Sequence, residues 1–428
     1  MGDAELRAED DRRRLQARIH GRPAAEGLTP GARRRVRPAR LPPRDGARAR
    51  AVRGAPARRR RARRQSRAPQ GHRAALGRGG APVVGTRAAS ASAPGRVNLI
   101  GEHTDYNNGL ALPTVIPLRT TVTCAERSDD RIALRTAAAV AWPSVELERS
   151  RLAPTRSWAD HLLGVVVAVG REVGPCTLEV RSEVPLGAGL GSSAALAVAT
   201  ARALRDAYRL ELDDRRIAEI AHRSETTFVG ARVGRMDQLV SSLGERGSAL
   251  LIDFRTLSVE KIALPAAIDV AVIDSGIRHE HARGAYNERR AECESAAKAL
   301  GLASLRDAGS GAWLHDLPET LRRRVRHVTS ENARVRAFVR ALERGEIGTL
   351  GEIVDASHAS LRDDFAVSSP EIDRLVEAAR TSGALGARLV GGGFGGCVLA
   401  IARAGEGRRV ADAAVAKAGL GRVLLPTG

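Results

Sequence analysis

Cysteine, aromatic residues and long apolar runs are all scarce in this chain of 428 residues. Its four cysteines are widely separated, with no Cys-x-x-Cys pair and no Cys/His cluster at zinc-site spacing. The sequence therefore predicts no disulfide framework and suits a reducing compartment. The longest apolar runs, such as Leu162 to Val169, fall well short of the about 20 residues that cross a bilayer. No signal-like stretch follows Met1. We expect a soluble, cytoplasmic protein with no membrane partner.

Aromatic residues make up only 3% of the sequence, so the core has to be built mainly from Leu, Val, Ile and Ala. Apolar residues reach 43%, which is close to the globular average. The length predicts two or three domains of ordinary size and is ample for a buried core.

The net charge of +20 comes almost entirely from one end of the chain. Residues 1–94 contain 25 Arg and 7 acidic residues, whereas the remainder is nearly neutral. From Pro30 to Pro82, 44 of 53 residues are Ala, Arg, Gly or Pro. Such a segment cannot bury enough apolar surface to offset its ordering entropy, so residues 1–80 are predicted to be a disordered tail.

Three interpretations of this tail stay open. It is a basic arm that grips phosphates, a solvated tail, or a product of a mis-called start or frameshift in a GC-rich gene, since all four residue types have GC-rich codons. The segment has no aromatic residue for base stacking and no folded nucleic-acid module beside it. We therefore expect no specific nucleic-acid partner, only non-specific binding to polyanions.

Beyond the tail, strand and helix patterns alternate without a repeating βαβ unit. This predicts an α+β fold in two lobes, residues 81–269 and 270–428. The pattern predicts a hairpin around Asn108-Gly109 and helices from Ser192 to Tyr208 and from Ile217 to Val229. Strands are expected at Val270 to Ile273, Arg388 to Val390 and Cys397 to Ala402, and a helix that starts at Ser369-Pro370-Glu371 and ends at Gly383.

The most informative segment is a glycine-rich loop that opens a helix. Alternating glycines let backbone N–H groups wrap an anion, and the helix N-terminus favours phosphate. A flexible turn before an ordinary helix is the alternative, but the two serines at the helix start favour a phosphate loop. It is not a Walker A loop, because no Gly-Lys-Ser/Thr occurs. The candidate residues are Gly187, Ala188, Gly189, Leu190, Gly191, Ser192 and Ser193, and the Ser193 hydroxyl is suited to Mg²⁺.

A second glycine cluster, Gly391 to Gly396, contains the pattern Gly-x-Gly-x-x-Gly. An apolar strand follows it where a dinucleotide site requires a helix. The better interpretation is a tight turn between strands that still has access to a ligand.

Glu102, His103 and Asp105 crowd into one loop directly after an apolar strand. Carboxylates at a strand end suit a hydroxyl-rich ligand, because each accepts hydrogen bonds from neighbouring hydroxyls. From the residues alone, a solvated turn is an equally good interpretation. Asp237 stands out by no spacing rule.

Together these segments resemble the three signature motifs of the family of galacto-, homoserine, mevalonate and phosphomevalonate kinases. The stretch Gly-Arg-Val-Asn-Leu-Ile-Gly-Glu-His-Thr-Asp-Tyr, residues 95–106, is similar to the galactokinase signature in particular. The likeness continues through Val233 to Gln238, Tyr286 to Arg290, His327 to Arg334 and Ser360 to Phe365, and covers roughly Ala93 to Ala402.

The resemblance implies an ATP-dependent galactokinase with the two-lobed fold of this family. By resemblance, Gly187 to Ser193 cradle the ATP phosphates, and Ser193 and Glu225 hold Mg²⁺. Asp237 is the base that takes the proton from the anomeric hydroxyl, and Arg96 stabilises charge in the transition state. The galactose contacts implied are Glu102, His103, Thr104, Asp105, Gly234 and Tyr286.

Two positions depart from the galactokinase pattern. Arg235 stands where a small residue is usual, and Val390 stands where Thr or Ser is usual. A related kinase for N-acetylgalactosamine or arabinose therefore stays open, as does a non-catalytic galactose sensor. The complete run Ser193-Ala194-Ala195 favours catalysis. We expect a monomer.

Overall fold

The computed structural model describes residues 87–137, 142–278, 282–309, 311 and 316–425. The predicted disordered tail, residues 1–80, lies outside the described residues. All described residues belong to one compact unit, Gly80–Gly428. None of the helices in the described ranges is long and apolar enough to cross a membrane.

The first half of the described chain forms an eight-stranded sheet around one long strand, β3. This strand pairs antiparallel with β1, β6 and β7, and only the pair of β4 and β6 is parallel. A repeating βαβ arrangement is therefore not present in these strands, as the sequence predicted. The strands are β1 (Ala88–Asn98), β2 (Leu110–Ala111), β3 (Pro113–Glu126), β4 (Arg131–Thr136), β5 (Val145–Glu148), β6 (Cys176–Ser182), β7 (Ser248–Asp253) and β8 (Ser258–Ala263).

Four helices belong to this half: α1 (Asp160–Val169), α2 (Ser192–Tyr208), α3 (Asp214–Arg223) and α4 (Met236–Leu243). The helix predicted from Ser192 to Tyr208 is confirmed at both ends. Its Ala- and Leu-rich face is buried against α1 and the sheet, together with side chains such as Val122, Leu163 and Leu178. Small side chains on α2 let the helix pack closely over β1 and β3.

The helix predicted from Ile217 to Val229 differs from the structure. The α-helix begins earlier, at Asp214, because the Asp213 carboxylate accepts a hydrogen bond from the Arg216 backbone N–H at 2.7 Å. It ends at Arg223 and continues as one π-helical turn, Ser224–Phe228, in which the Val229 N–H bonds the Ser224 carbonyl. The ordinary helical periodicity of the sequence does not predict this wider turn. Such turns are frequent at functional sites.

The second half forms a four-stranded antiparallel sheet in the order β10-β11-β9-β12. Its strands are β9 (Ile268–Arg278), β10 (Gly386–Val390), β11 (Gly395–Arg403) and β12 (Arg422–Leu425). Its helices are α5 (Ala282–Ala299), α6 (Glu319–Arg344), α7 (Ile347–Asp363), α8 (Pro370–Thr381) and α9 (Gly407–Ala418). The three strands that the sequence predicted here are confirmed.

The α+β class is confirmed, and the two sheets are consecutive in the chain. The first sheet ends at Ala263 and the second begins at Ile268, next to the predicted limit between residues 269 and 270. Side chains from both sheets, such as Val97 and Leu399, share one apolar cluster. The lobe boundary itself stays a prediction.

Two local predictions depend on caps and turns. Helix α8 begins as expected, with the Ser369 hydroxyl as N-cap acceptor and Pro370 in the first turn. Of the two residues in the expected Asn108-Gly109 turn, only Asn108 takes a left-handed conformation (φ 54°). Gly109 is needed for space instead, because a Cβ there would lie 2.7 Å from both Asn332 Oδ1 and Thr104 Cβ.

Candidate active site

The predicted phosphate loop has the backbone that an anion cradle requires. Gly187, Gly189 and Gly191 all take left-handed conformations, with φ of 68°, 74° and 70°. Left-handed residues at alternate positions turn successive N–H groups toward one side of the loop. Gly191 is the N-cap of α2, and no side chain caps the helix, so its first N–H groups face the loop.

Buried neighbours hold this loop in place. Ala188 and Leu190 are buried, whereas Ser192 and Ser193 at the start of α2 are half-buried. The Cys397 thiol, on β11, donates to the Ala188 carbonyl at 3.1 Å. The loop therefore contacts the second sheet as well as the first.

Arg96, near the end of β1, joins the phosphate loop to Asp237. Its backbone N–H donates to the Leu190 carbonyl at 3.0 Å, and its guanidinium donates to the Gly189 carbonyl. The same guanidinium makes a two-pronged ion pair with Asp237, with Nε–Oδ1 at 2.8 Å and Nη2–Oδ2 at 2.5 Å. Asp237 sits in the first turn of α4, 141 positions away along the chain.

The charge of Arg96 is stabilised by several carboxylates. Burial alone would lower the pKa of this guanidinium, but Asp237, Glu102 and Asp105 raise it above its ordinary value. The arginine thus stays protonated at the junction of the phosphate loop and the loop that carries Glu102 and Asp105.

Ser193 and Glu225, the two metal ligands that the resemblance implies, lie next to each other. Glu225 lies on the π-helical turn, is 2% exposed, and accepts hydrogen bonds from the Ser193 hydroxyl and the Gln238 amide. Burial raises the pKa of this carboxyl, and both hydrogen bonds oppose that rise. Within the described ranges, no group of three or more His, Cys, Asp and Glu could enclose a metal. Two oxygen ligands suit Mg²⁺ that is bound mainly through nucleotide phosphates.

The loop between β1 and β2 places Glu102, His103 and Asp105 beside this junction. The Glu102 side chain is buried, and its Oε1 accepts hydrogen bonds from the Gly391 N–H at 2.9 Å and from Arg388 at 3.2 Å. Gly391 lies in the second glycine cluster, which the structure forms as the predicted turn between β10 and β11. A Cβ on Gly391 would lie 3.8 Å from Gly189 Cα, so the turn adjoins the phosphate loop.

His103 presents one ring nitrogen without a protein partner. Its Nδ1 lies 2.9 Å from the Tyr106 hydroxyl, whereas its buried Nε2 has no hydrogen bond from the described residues. The ring packs against Phe365 and Tyr286, with centroid separations of 4.6 and 5.6 Å. Burial lowers the pKa of His103 to about 3, so the imidazole is neutral near pH 7.

Asp105 lies against Gly234, the glycine that the resemblance had singled out. A Cβ on Gly234 would lie 1.8 Å from Asp105 Oδ2, so any larger residue there would displace the Asp105 carboxylate. Burial raises the pKa of Asp105 to about 6, and the charges of Asp237 and Glu102 contribute to that rise.

Thr104 forms hydrogen bonds within the loop between β1 and β2. It is fully buried, and its hydroxyl lies 2.8 Å from the carbonyl oxygens of Gly101 and Leu110. Its side chain therefore holds the shape of the loop, and the neighbouring side chains provide the open polar groups.

Comparison with known families identifies the same segments. Three family models match the chain. The model described as "Galactokinase galactose-binding signature" matches residues 83–126, "GHMP kinases N terminal domain" matches residues 160–245, and "GHMP kinases C terminal" matches residues 338–419. The galactokinase of Roseiflexus sp. (strain RS-1) is 44% identical over 325 residues, which are 72% of this chain and 82% of that protein. The galactokinase of Streptomyces coelicolor is also 44% identical, over 73% of this chain and 84% of its own. The chain belongs to the galactokinase family.

Solved structures agree with this membership of the galactokinase family. The crystal structure of Lactococcus lactis galactokinase complexed with galactose superposes with a TM-score of 0.73 and 29% identity, over 79% of this chain and 93% of that one. The Methanococcus jannaschii mevalonate kinase superposes with a TM-score of 0.61 and 19% identity, over 80% of this chain and 98% of that one, and shows the shared fold.

Several residues that support this galactokinase-family site were not assigned by the sequence. Three side chains of helix α6 form hydrogen bonds with the backbone of the loop between β1 and β2 and of Leu110, where β2 begins. His327 Nε2 lies 3.2 Å from the Glu102 carbonyl oxygen. Glu331 accepts a hydrogen bond from the Gly101 N–H at 3.0 Å, and Asn332 accepts one from the Leu110 N–H at 2.7 Å. His327 to Arg334 had been noticed only as part of the resemblance. The available signal was polar side chains at i and i+4 on an otherwise apolar helix face.

Arg388 was also missed. It stands in β10, where every residue from Gly386 to Val390 is buried. A lone arginine within an apolar strand is the signal that could have identified it, because a buried charge requires partners.

Proposed function

We propose a specific reaction for this ATP-dependent sugar kinase: transfer of the γ-phosphoryl group of ATP to the anomeric hydroxyl of galactose, which yields galactose 1-phosphate for galactose catabolism. The observation that carries the proposal is the position of the Arg96–Asp237 pair. The guanidinium bonds both the Asp237 carboxylate and the Gly189 carbonyl of the phosphate loop. A proton acceptor and a cation thus stand between the candidate sites for sugar and nucleotide.

The sugar is proposed to bind through polar atoms that the protein leaves open. The carboxylates of Glu102 and Asp105 accept hydrogen bonds from sugar hydroxyls, and the unpartnered Nε2 of neutral His103 bonds a further hydroxyl. Gly234 leaves room for the Asp105 carboxylate, and the Tyr286 ring packs against the ring of His103. Burial raises the pKa of Tyr286 well above its ordinary value, so its phenol stays protonated.

The nucleotide phosphates are proposed to lie on the loop from Gly187 to Ser193, with Ser193 and Glu225 as the Mg²⁺ ligands. These are hard oxygen donors, and their mutual hydrogen bond places them side by side. When bound, Mg²⁺ supplies neutralisation of phosphate charge. Gln238, which donates to Glu225, orients that carboxylate.

In the proposed chemistry, Asp237 accepts the proton of the anomeric hydroxyl as that oxygen forms a bond to the γ-phosphorus of ATP. The bond between the γ-phosphorus and the oxygen that bridges it to the β-phosphate breaks, and ADP leaves with that oxygen. Protonation weakens the ion pair with Arg96, which is then able to donate to the oxygens of the transferring group. Phosphoryl transfer needs mainly in-line positioning and stabilisation of charge on those oxygens. Both residues are thus catalytic in this proposal.

The proposal also covers the compartment, the oligomeric state and the choice between an enzyme and a sensor. We propose that the enzyme acts in the cytoplasm, since all four cysteines are buried free thiols and ATP is the phosphoryl donor. We also propose that it is a monomer, which size-exclusion chromatography with light scattering tests. A non-catalytic sensor is the less favoured alternative, because Asp237, Arg96, Ser193 and Glu225 are all present and in contact pairs.

A coupled assay of ATP consumption with a panel of sugars tests the proposed function. Galactose is expected to drive turnover far better than glucose, whose hydroxyl at carbon 4 points the other way and leaves buried polar groups unpaired. N-acetylgalactosamine, arabinose and mevalonate complete the panel. Equal turnover of galactose and glucose, or a preference for one of the other substrates, would contradict the proposal. Binding of galactose without ATP turnover would indicate a sensor.

A further inference from the structure

Arg388 on β10 carries a charge in one of the most apolar parts of the molecule. Its side chain has no exposed surface, and every residue of β10 is buried. An ionised group at such a position is stable only if its hydrogen-bonding capacity is met by nearby acceptors. The positions of those acceptors show which segments of the chain the arginine keeps in place.

The guanidinium bonds the chain where β1 becomes the loop that bears Glu102. Its Nη2 donates to the Asn98 carbonyl at 2.7 Å and its Nε to the Leu99 carbonyl at 2.9 Å, while Nη1 donates to the Leu389 carbonyl at 3.2 Å. Asn98 is the last residue of β1. Arg388 is 290 positions away in sequence, so it ties the second sheet to the end of a strand in the first.

The same guanidinium reaches the Glu102 carboxylate. Nη2 lies 3.2 Å from Oε1, and the Gly391 N–H donates to that same oxygen at 2.9 Å. In the described part of the chain, no hydrogen bond reaches Oε2 of Glu102. One carboxylate oxygen is thus held by two donors, and the other is left to accept a hydrogen bond from a ligand.

We propose that Arg388 is a positioning residue for the sugar, which fixes Glu102 so that Oε2 faces the bound substrate. The inference rests on the proposed function, in which Glu102 binds a sugar hydroxyl. Arg388 does not touch the substrate; it acts on Glu102, both directly and by holding the backbone of Asn98 and Leu99 that leads to it. It also sets how the sugar loop lies against the turn that adjoins the phosphate loop.

Lysine cannot replace arginine in this position. A planar guanidinium donates in several fixed directions, whereas an ammonium is a single point charge on a flexible stem. Arg388→Lys keeps the charge but meets only part of the acceptor set. Since a displacement of about 1 Å costs on the order of 10²-fold in rate, we expect kcat/KM for the sugar to fall by up to that order, with a higher sugar KM, while the KM for ATP stays unchanged.

The test compares Arg388→Lys and Arg388→Met with a matched control, Arg202→Met. Arg202 also joins β1 to another element through two carbonyls and a carboxylate: Ser92 at 3.1 Å, Ser242 at 2.7 Å and Asp214 at 3.1 Å. None of these three acceptors belongs to the phosphate loop or to the loop that bears Glu102. The control reports what loss of a comparable arginine does to stability and to both KM values.

The expected result is a selective rise in the sugar KM of Arg388→Lys, larger than any change in Arg202→Met. A second measurement is the sugar KM of the double variant that combines Arg388→Lys with Glu102→Gln. Because Arg388 acts through Glu102, its substitution is expected to add little once Glu102 is altered. A sugar KM unchanged in Arg388→Lys, an equal rise in both KM values, or full additivity with Glu102→Gln would overturn the inference.

Failure of the proposed function is recognised separately, with the unaltered enzyme. If that enzyme prefers a sugar other than galactose, the proposed substrate is wrong, and the same KM comparison with the preferred sugar still tests Arg388. If Arg388→Met does not fold, Arg388→Lys and the double variant carry the test alone.

Discussion

Gly234→Ala probes the sugar site through a single methyl group. The new Cβ would lie 1.8 Å from Asp105 Oδ2 and 2.8 Å from its Cγ. Contacts of a Cβ under 3.0 Å are not tolerated, so the carboxylate has to move by at least 1.2 Å, the difference between 3.0 and 1.8 Å. A displacement of that size at a substrate-positioning group costs on the order of 10²-fold.

The assay measures kcat/KM for galactose and the KM for ATP, together with the melting temperature. We expect kcat/KM for galactose to fall on the order of 10²-fold and the ATP KM to stay constant, because the phosphate loop is not touched. Gly348→Ala is the control: it lies in α7, and a Cβ there meets nothing within 4 Å. That change is expected to leave activity intact and, since Gly348 lies in the first turn of the helix, to stabilise the protein by less than about 1 kcal/mol.

A double variant makes the reasoning refutable in one experiment. In Asp105→Ala the carboxylate that the methyl displaces is already absent, so adding Gly234→Ala is expected to cost little more. Normal galactose kinetics in Gly234→Ala, or losses that add fully in the double variant, would show that the contact between Gly234 and Asp105 does not control sugar binding.

Further predictions concern catalysis, pH and the tail. Asp237→Asn should lower kcat by ~10²–10⁴-fold with little change in galactose affinity by calorimetry, whereas near-normal turnover with a lower melting temperature would show a structural role. Burial raises the pKa of Asp105 to about 6, so kcat/KM for galactose should fall as the pH drops through about 6, and Asp105→Asn should lack this limb. Stability should also decrease on acidification, because burial lowers the pKa of three histidines to about 3 or 4, and the unfolded chain takes up these protons below about pH 6.5. Asp105 opposes part of this loss, because its pKa is raised on folding, and denaturant titration at pH 7 and pH 5 measures the net decrease. The histidines are His103, His327 and His358. Finally, deletion of residues 1–80 should leave sugar-kinase activity intact, since every proposed site residue lies beyond Ala93. The same deletion should weaken binding to heparin, because these residues carry most of the net positive charge. Loss of folding on deletion would contradict this prediction.

The sequence by itself determined the features whose causes are local. Helix α2 has its predicted ends because alternating glycines and two serines lead into an Ala-rich run, all within one segment. The start of α8 follows from a serine cap and a proline next to each other. The glycine cluster after β10 forms a turn because a strand pattern lies on both sides. The motif resemblance named the proposed catalytic, sugar and nucleotide residues but not Arg388, and composition and spacing alone would have left Asp237 unnoticed.

Only the tertiary structure decided how these segments act on one another. Arg96 and Asp237 meet across 141 positions, and Arg388 reaches Asn98 across 290, so no local pattern encodes either contact. The π-helical turn that carries Glu225 departs from ordinary helical periodicity, and the space that requires glycine at 234 is set by the Asp105 carboxylate. Hydrogen bonds to buried charges depend on direction and distance in the folded core. They therefore become visible only when both sheets are in place.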